Sequence, residues 1–267
     1  DNEIMDKWPK LGADSVLLEN QSGHIHQVNL VEKLLATVLA KMSNFIPEAG
    51  IWMNTQRPEW NDANNALVGN GVSAVTLYYL IRFLKFTKDL FSDTQGKPVS
   101  ISEELHTFYH QIFLVLDEYK ELLSGQISDT ERKQILDGLG MAGGSSREKI
   151  YNQSFQGGKK DITMNELKNF TEMCLLYLSH TLEANKREDN LYHAYNLMTV
   201  TGDDEISISY LSEMLEGQVA VLSSGHLSSQ EALNVMDALK ASDLFRQDQY
   251  SYLLYPEKEL PGFMEKN

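Results

Sequence analysis

Thr55-Gln56-Arg57-Pro58-Glu59-Trp60-Asn61-Asp62-Ala63-Asn64-Asn65-Ala66-Leu67-Val68-Gly69 lies between two long amphipathic segments and is unlike either of them. It is too polar for a core and too rich in Trp, Asn and acid for a plain connector. Pro58 has a fixed φ and no N–H, so it does not continue a helix, and it pushes Arg57 towards an extended backbone. The stretch therefore reads as a presented loop, and the fold class depends on its flanks.

On the N-terminal side, Val28, Leu30, Val31, Leu34, Leu35, Val38, Leu39 and Met42 recur at three and four, which predicts a helix from His26 to Phe45, ended by Pro47 and Gly50. On the C-terminal side, residues 72–90 are apolar on most faces, as an inner helix is. Further helices are predicted at 101–123, 129–137, 164–184, 206–222 and 229–241. Residues 1–24, with Pro9, Gly12 and Gly23, read as an extended lead-in, and strand signal is sparse. The expected fold class is all-α, a single domain over 1–267. Helical hairpins at 25–125 carry the acidic loop, a Gly-rich loop region covers 126–162, and further helices with an aromatic tail fill 163–267.

Glu59 and Asp62 are three apart, which places them on one side of a first helical turn. An acid held against the indole of Trp60 is partly desolvated, which favours its neutral form and suits it to donating a proton near neutral pH. Glu59 is the candidate general acid. Asp62 is either a second site carboxylate or the cap of the following helix, with Asn64 and Asn65 making local turn bonds.

The run Glu59-Trp60-Asn61-Asp62, followed by Asn65, Val68 and Gly69 and then by Gly71-Val72-Ser73 leading into an apolar helix, resembles the Asp-Trp-Asn-Asp segment of the cellobiose and chitobiose phosphorylase family. The resemblance implies an (α/α)6 toroid of the six-hairpin glycosidase type that breaks β-glycosidic bonds. It places Glu59 at the family's proton donor and Asp62 at its second acid. Glu in place of Asp keeps the chemistry and lengthens the arm. Since the helices predicted here are about half of what such a ring contains, the toroid is expected to be incomplete or a fragment. The implied substrate is an oligosaccharide or glycoside, cleaved by water or by inorganic phosphate as co-substrate; no other cofactor and no metal is expected. Arg57, Trp60, Asn61 and Asn65 are the implied substrate contacts.

Composition narrows the partners. The formal net charge of −15 argues against nucleic acid or an anionic membrane surface, both of which require a basic footprint. No apolar run is long enough for a membrane span, and the chain has no basic start followed by an apolar stretch. It begins at Asp1, which reads as a processed product or a piece of a larger polypeptide. The single Cys174 sits in an apolar helical run and reads as a small buried hydrophobe. A soluble protein of cytoplasm or periplasm fits; the compartment stays open.

Other candidates lie downstream. An inverting glycosidase needs a second carboxylate about 6.5–9.5 Å from the acid to activate water; Glu216, beside Gly217 and Gln218, is the candidate, with Glu213 as its fallback. Glycines 138, 140, 143 and 144 with Arg147 form either a connector or a loop binding sugar hydroxyls. In 191–196, Tyr192, His193 and Tyr195 combine aromatic faces with hydrogen-bonding groups, as a pyranose requires, or else mark an ordinary half-buried helix start. His106 and His110 lack the intervening Glu of a zincin, His24 and His26 have no neighbouring acid or thiol, and no P-loop or G-x-S-x-G elbow occurs.

Overall fold

The structure, a computed structural model, describes residues 2–20, 22–53, 67, 69–92, 96–153, 155–257 and 262–266. It opens on an amphipathic helix, α1 (Asn2–Leu11), where an extended lead-in was expected; none of its residues is buried. Next comes α2 (Leu30–Met42), shorter at both ends than the periodicity suggests. Asn29 starts it by accepting the Glu32 N–H at 2.9 Å, a standard N-cap.

A β-sheet overturns the all-α expectation. Strands β1 (Phe45–Ile46), β2 (Gly50–Trp52) and β3 (Gly71–Ser73) precede helix α3 (Ala74–Ser92). With β6 (Tyr195–Thr201) and β7 (Glu205–Tyr210) they form a five-stranded, wholly antiparallel sheet in the order β1-β2-β3-β6-β7. The chain is 58% helical with 16% strand, a mixed α/β architecture and not a ring of helical hairpins. The remaining elements are β4 (Val99–Ser102), α4 (Glu103–Glu118), α5 (Asp129–Gln153), β5 (Lys159–Ile162), α6 (Met164–Ala184), α7 (Leu215–Ser223), α8 (Ser229–Ala241), β8 (Phe245–Arg246), β9 (Ser251–Tyr252) and α9 (Phe263–Lys266).

Two further expectations fail. The Gly-rich region is not a loop: residues 129–153 are one continuous helix. Ile135, Leu139 and Ala142 recur on its buried side, and two of its glycines permit close approach. A Cβ at Gly143 would lie 2.7 Å from Ser43 Cβ, and one at Gly138 would lie 3.1 Å from both γ-carbons of Val115. The helix expected over 206–222 is instead a strand to Tyr210 and a helix only from Leu215. Ile206 and Ile208 alternate with Ser207 and Ser209, a period of two, and the turn ahead of them is made at Gly202 with φ 61°.

The sheet is covered on both faces. Val72, Met198 and Ile206 join Ile46, Ala49 and Leu136 of α5 in a small apolar cluster on one side. On the other, Phe45, Ile51 and Tyr195 merge into the main core with α2, α3, α4 and α6. Among the described residues, no helix is long and apolar enough to cross a membrane.

Candidate functional site

The acidic stretch leaves the sheet after β2 and returns into β3. Arg57, Glu59, Trp60, Asn61, Asp62 and Asn65 lie outside the described residues; the two ends of their segment do not. The Trp52 indole N–H donates to the Gly69 carbonyl at 2.9 Å, and the Met53 N–H donates to the Gly71 carbonyl at 2.8 Å. Leu67 is buried in the main core, and the Met198 N–H donates to the Asn70 carbonyl at 2.9 Å. Both ends of the segment therefore lie on adjacent rungs of the sheet, and connections anchored on a scaffold in this way commonly carry function.

On the neighbouring strand, residues 192–195 are clasped by the start of α7. The buried Gln218 side chain accepts the Tyr192 N–H at 2.8 Å and donates to the Tyr192 carbonyl at 2.7 Å. Ala194 presses so closely on Gly217 that a Cβ there would lie 2.9 Å from Ala194 Cβ. This docking sets the half-buried Glu216, in the first turn of α7, beside Tyr195, which is register partner of Ser73 at the end of β3. The buried Tyr195 hydroxyl faces the Glu216 carboxylate and the Ser73 hydroxyl, and burial followed by the Glu216 charge pushes its ionisation well above the ordinary phenol range. Ser73, Tyr195 and Glu216 thus form one polar cluster that begins two residues after the loop ends.

His193 stands at the edge of an open depression of about 470 Å³ lined by Lys186, Arg187, Asp189, His193 and Tyr210, among others. Its ring lies flat on Tyr210, with centroids 4.3 Å apart and planes 17° from parallel. Arg187 holds Asp189 at 2.7 Å and Glu213 at 3.2 Å. Burial, then the Arg187 charge, lowers the His193 pKa from its ordinary value, so the ring is neutral at pH 7. A neutral imidazole stacked on a phenol, rimmed by charged hydrogen-bonding groups, offers an apolar face and polar partners together.

The other predicted residues separate from this region. Tyr192 is fully buried, edge-on to Tyr78 with centroids 6.3 Å apart, and is a core residue. Arg147 is exposed on α5. Glu213, the fallback acid, is held in its ion pair with Arg187. Sequence reasoning missed Tyr210, Ser73, Arg187 and Asp189 as members of this region. The period-two pattern at 206–209 was the available signal for Tyr210, since it makes 205–210 a strand that pairs with 196–201. Among the described residues, no group of three or more His, Cys, Asp or Glu is arranged to hold a metal ion.

No family model matches the chain, and no curated protein matches it.

Proposed function

We propose that this protein acts on a glycosidic bond, with the chemistry carried by the β2–β3 loop. Glu59 protonates the leaving oxygen, Trp60 stacks on a sugar ring and desolvates that acid, and Arg57, Asn61, Asp62 and Asn65 fix substrate hydroxyls. Glu216, held beside Tyr195, is the second carboxylate that activates water if the reaction is hydrolysis; inorganic phosphate takes its place if it is phosphorolysis. His193 and Tyr210 supply a stacking surface for a further sugar unit.

The observation that supports this reading most is that the acid-bearing segment connects two adjacent strands, β2 and β3, next to the strand that carries Tyr195 and its Glu216 neighbour. The likeness of Glu59-Trp60-Asn61-Asp62 to the phosphorylase motif is confined to that segment, because a sheet here stands where that family has a helical ring.

The test is incubation of the intact chain with β-linked oligosaccharides, with and without inorganic phosphate, following released sugar. Release that requires phosphate identifies a phosphorylase, and release without it identifies a hydrolase. Glu59→Gln is expected to abolish release while retaining saccharide binding. Unchanged release in that variant removes Glu59 from the mechanism, and binding without release in the native chain makes the protein a binding module.

A further inference from the structure

N-terminal to α2, residues 18–20 and 24–26 pair antiparallel as a short hairpin. The His26 N–H donates to the Leu18 carbonyl at 2.8 Å, the Asn20 N–H donates to the His24 carbonyl at 2.8 Å, and Gly23 turns the chain at φ 75°. The Asn20 side-chain oxygen accepts from the backbone N–H groups of Ser22 and His24, fixing the turn from inside. The hairpin docks through His26, whose ring lies on Phe155 with centroids 3.7 Å apart and planes 3° from parallel. Between the hairpin and the Gly157–Lys159 segment is a cleft of about 720 Å³, lined by Glu19, Asn20, His24, His26, Gln27 and Lys159 among others.

Two of its lining residues, His26 and Lys159, belong to a hydrogen-bonding network centred on Glu32 and Ser102. The buried Glu32 carboxylate accepts from the Ser102 N–H at 3.0 Å, from the Ser102 hydroxyl, and from Lys159 Nζ at 3.2 Å. Ser102 Oγ also meets Lys159 Nζ at 3.2 Å and His26 Nε2 at 3.1 Å. A serine hydroxyl has one proton, and Glu32 takes it, so Oγ meets the other two groups as an acceptor. His26 must then donate through Nε2–H, which leaves Nδ1 as an acceptor on a residue that lines the cavity. Burial and the Lys159 charge lower the His26 pKa, in keeping with a neutral ring at pH 7.

The charges around the cavity cancel locally. Lys159 is matched by Glu32, and Glu19 by Lys7 at 3.1 Å. Beside these two ion pairs, the lining presents both donors and acceptors: the imidazoles of His24 and His26 and the amides of Asn20 and Gln27. A phosphate or a carboxylate would find no unmatched cation here, and a cation no unmatched acid. A volume in the range of small-ligand sites, with its charges already paired and with both donors and acceptors on its lining, suits clustered hydroxyls, each of which both donates and accepts.

We propose that this cleft is a second binding site, for an uncharged polyhydroxylated ligand the size of one to a few sugar units. It does not rest on the reading of the β2–β3 loop. The experiment titrates the full chain at pH 7.5 with maltotriose, cellotriose or inorganic phosphate, following heat and the imidazole ¹H–¹⁵N signals of His24 and His26. A neutral trisaccharide is expected to bind and to move both sets of signals. The double variant His24→Ala/Gln27→Ala, at two exposed positions where the fold is not at risk, is expected to weaken binding about tenfold or more through two lost hydrogen bonds. Glu59→Gln is expected to leave these shifts intact, which separates this site from the loop. The proposal is overturned if neither sugar moves the His24 and His26 signals, if the double variant binds as tightly as the native chain, or if phosphate binds here and displaces the sugar.

Discussion

Arg132→Met is expected to be among the most destabilising single substitutions in this protein. Arg132 and Glu48 are 5% and 6% exposed, and Nη2 lies 2.6 Å from Glu48 Oε2. The same guanidinium donates from Nε to the Pro47 carbonyl at 3.0 Å, from Nη1 to Asp129 and, at 2.9 Å, to the Ile206 carbonyl, and from Nη2 to the Ile127 carbonyl at 2.9 Å. It ties the β1–β2 turn, α5 and β7 together. Glu48 itself sits at φ 63°, a left-handed backbone that a non-glycine residue holds only when its surroundings insist. The Glu48 N–H bond to Thr181 Oγ1 at 3.0 Å and the Asn185 side-chain bond to the Glu48 carbonyl at 3.2 Å supply that insistence. Methionine fills much of the volume but leaves a buried carboxylate without its cation and three carbonyls without this donor. Breaking a buried pair from one side costs about 3–5 kcal/mol. At about 2–4 °C per kcal/mol for a chain of this size, Tm falls by roughly 6–20 °C. Urea unfolding of Arg132→Met, Glu48→Gln and the double variant measures this, and the double should cost less than the sum because the stranded charge is gone. A loss below about 1 kcal/mol for Arg132→Met, or strict additivity in the cycle, would refute the reasoning.

Further outcomes rest on the same geometry. The native His193 pKa is lowered by burial and Arg187, so from the ordinary imidazole value of about 6.5 downward the unfolded chain binds the extra proton more readily, and stability falls with pH through that window. His193→Phe keeps the stack on Tyr210 and should flatten the difference between urea midpoints at pH 7 and pH 5.5; an unchanged difference excludes His193 as its source. Gly217→Ala forces a methyl against Ala194 and is expected to cost about 1–3 kcal/mol in urea unfolding, displacing Glu216 and reducing any turnover. Gly140→Ala, where an added Cβ meets nothing within 4 Å, should instead stabilise by about 1 kcal/mol.

The long helices were legible because burial prints a three-and-four pattern over many residues. The reading of 164–184 matches α6 end to end, and that of 229–241 matches α8. Both have capping boxes, at Thr163/Glu166 and Ser228/Glu231. The sheet was not legible in the same way. Strands β1, β2 and β3 are two or three residues long and print no period, and β3 completes its pairing on β6, more than a hundred residues away in sequence. The glycines of α5 carry helix-breaking propensity that tertiary contact overrides, since Gly143 and Gly138 are what let α5 approach Ser43 and Val115. At the candidate site, residue types could be read from the sequence and proximity could not. Tyr195 and Glu216 were singled out independently, and the Gln218 clasp on Tyr192 together with the Gly217–Ala194 contact brings them side by side.

Because Trp52 and Met53 are bonded to Gly69 and Gly71, the chain between them departs and re-enters at almost one point. The entropy of closing such an excursion rises only slowly with its length. The length and side chains of that segment can therefore be varied apart from the register of β2 on β3 and the stability of the scaffold.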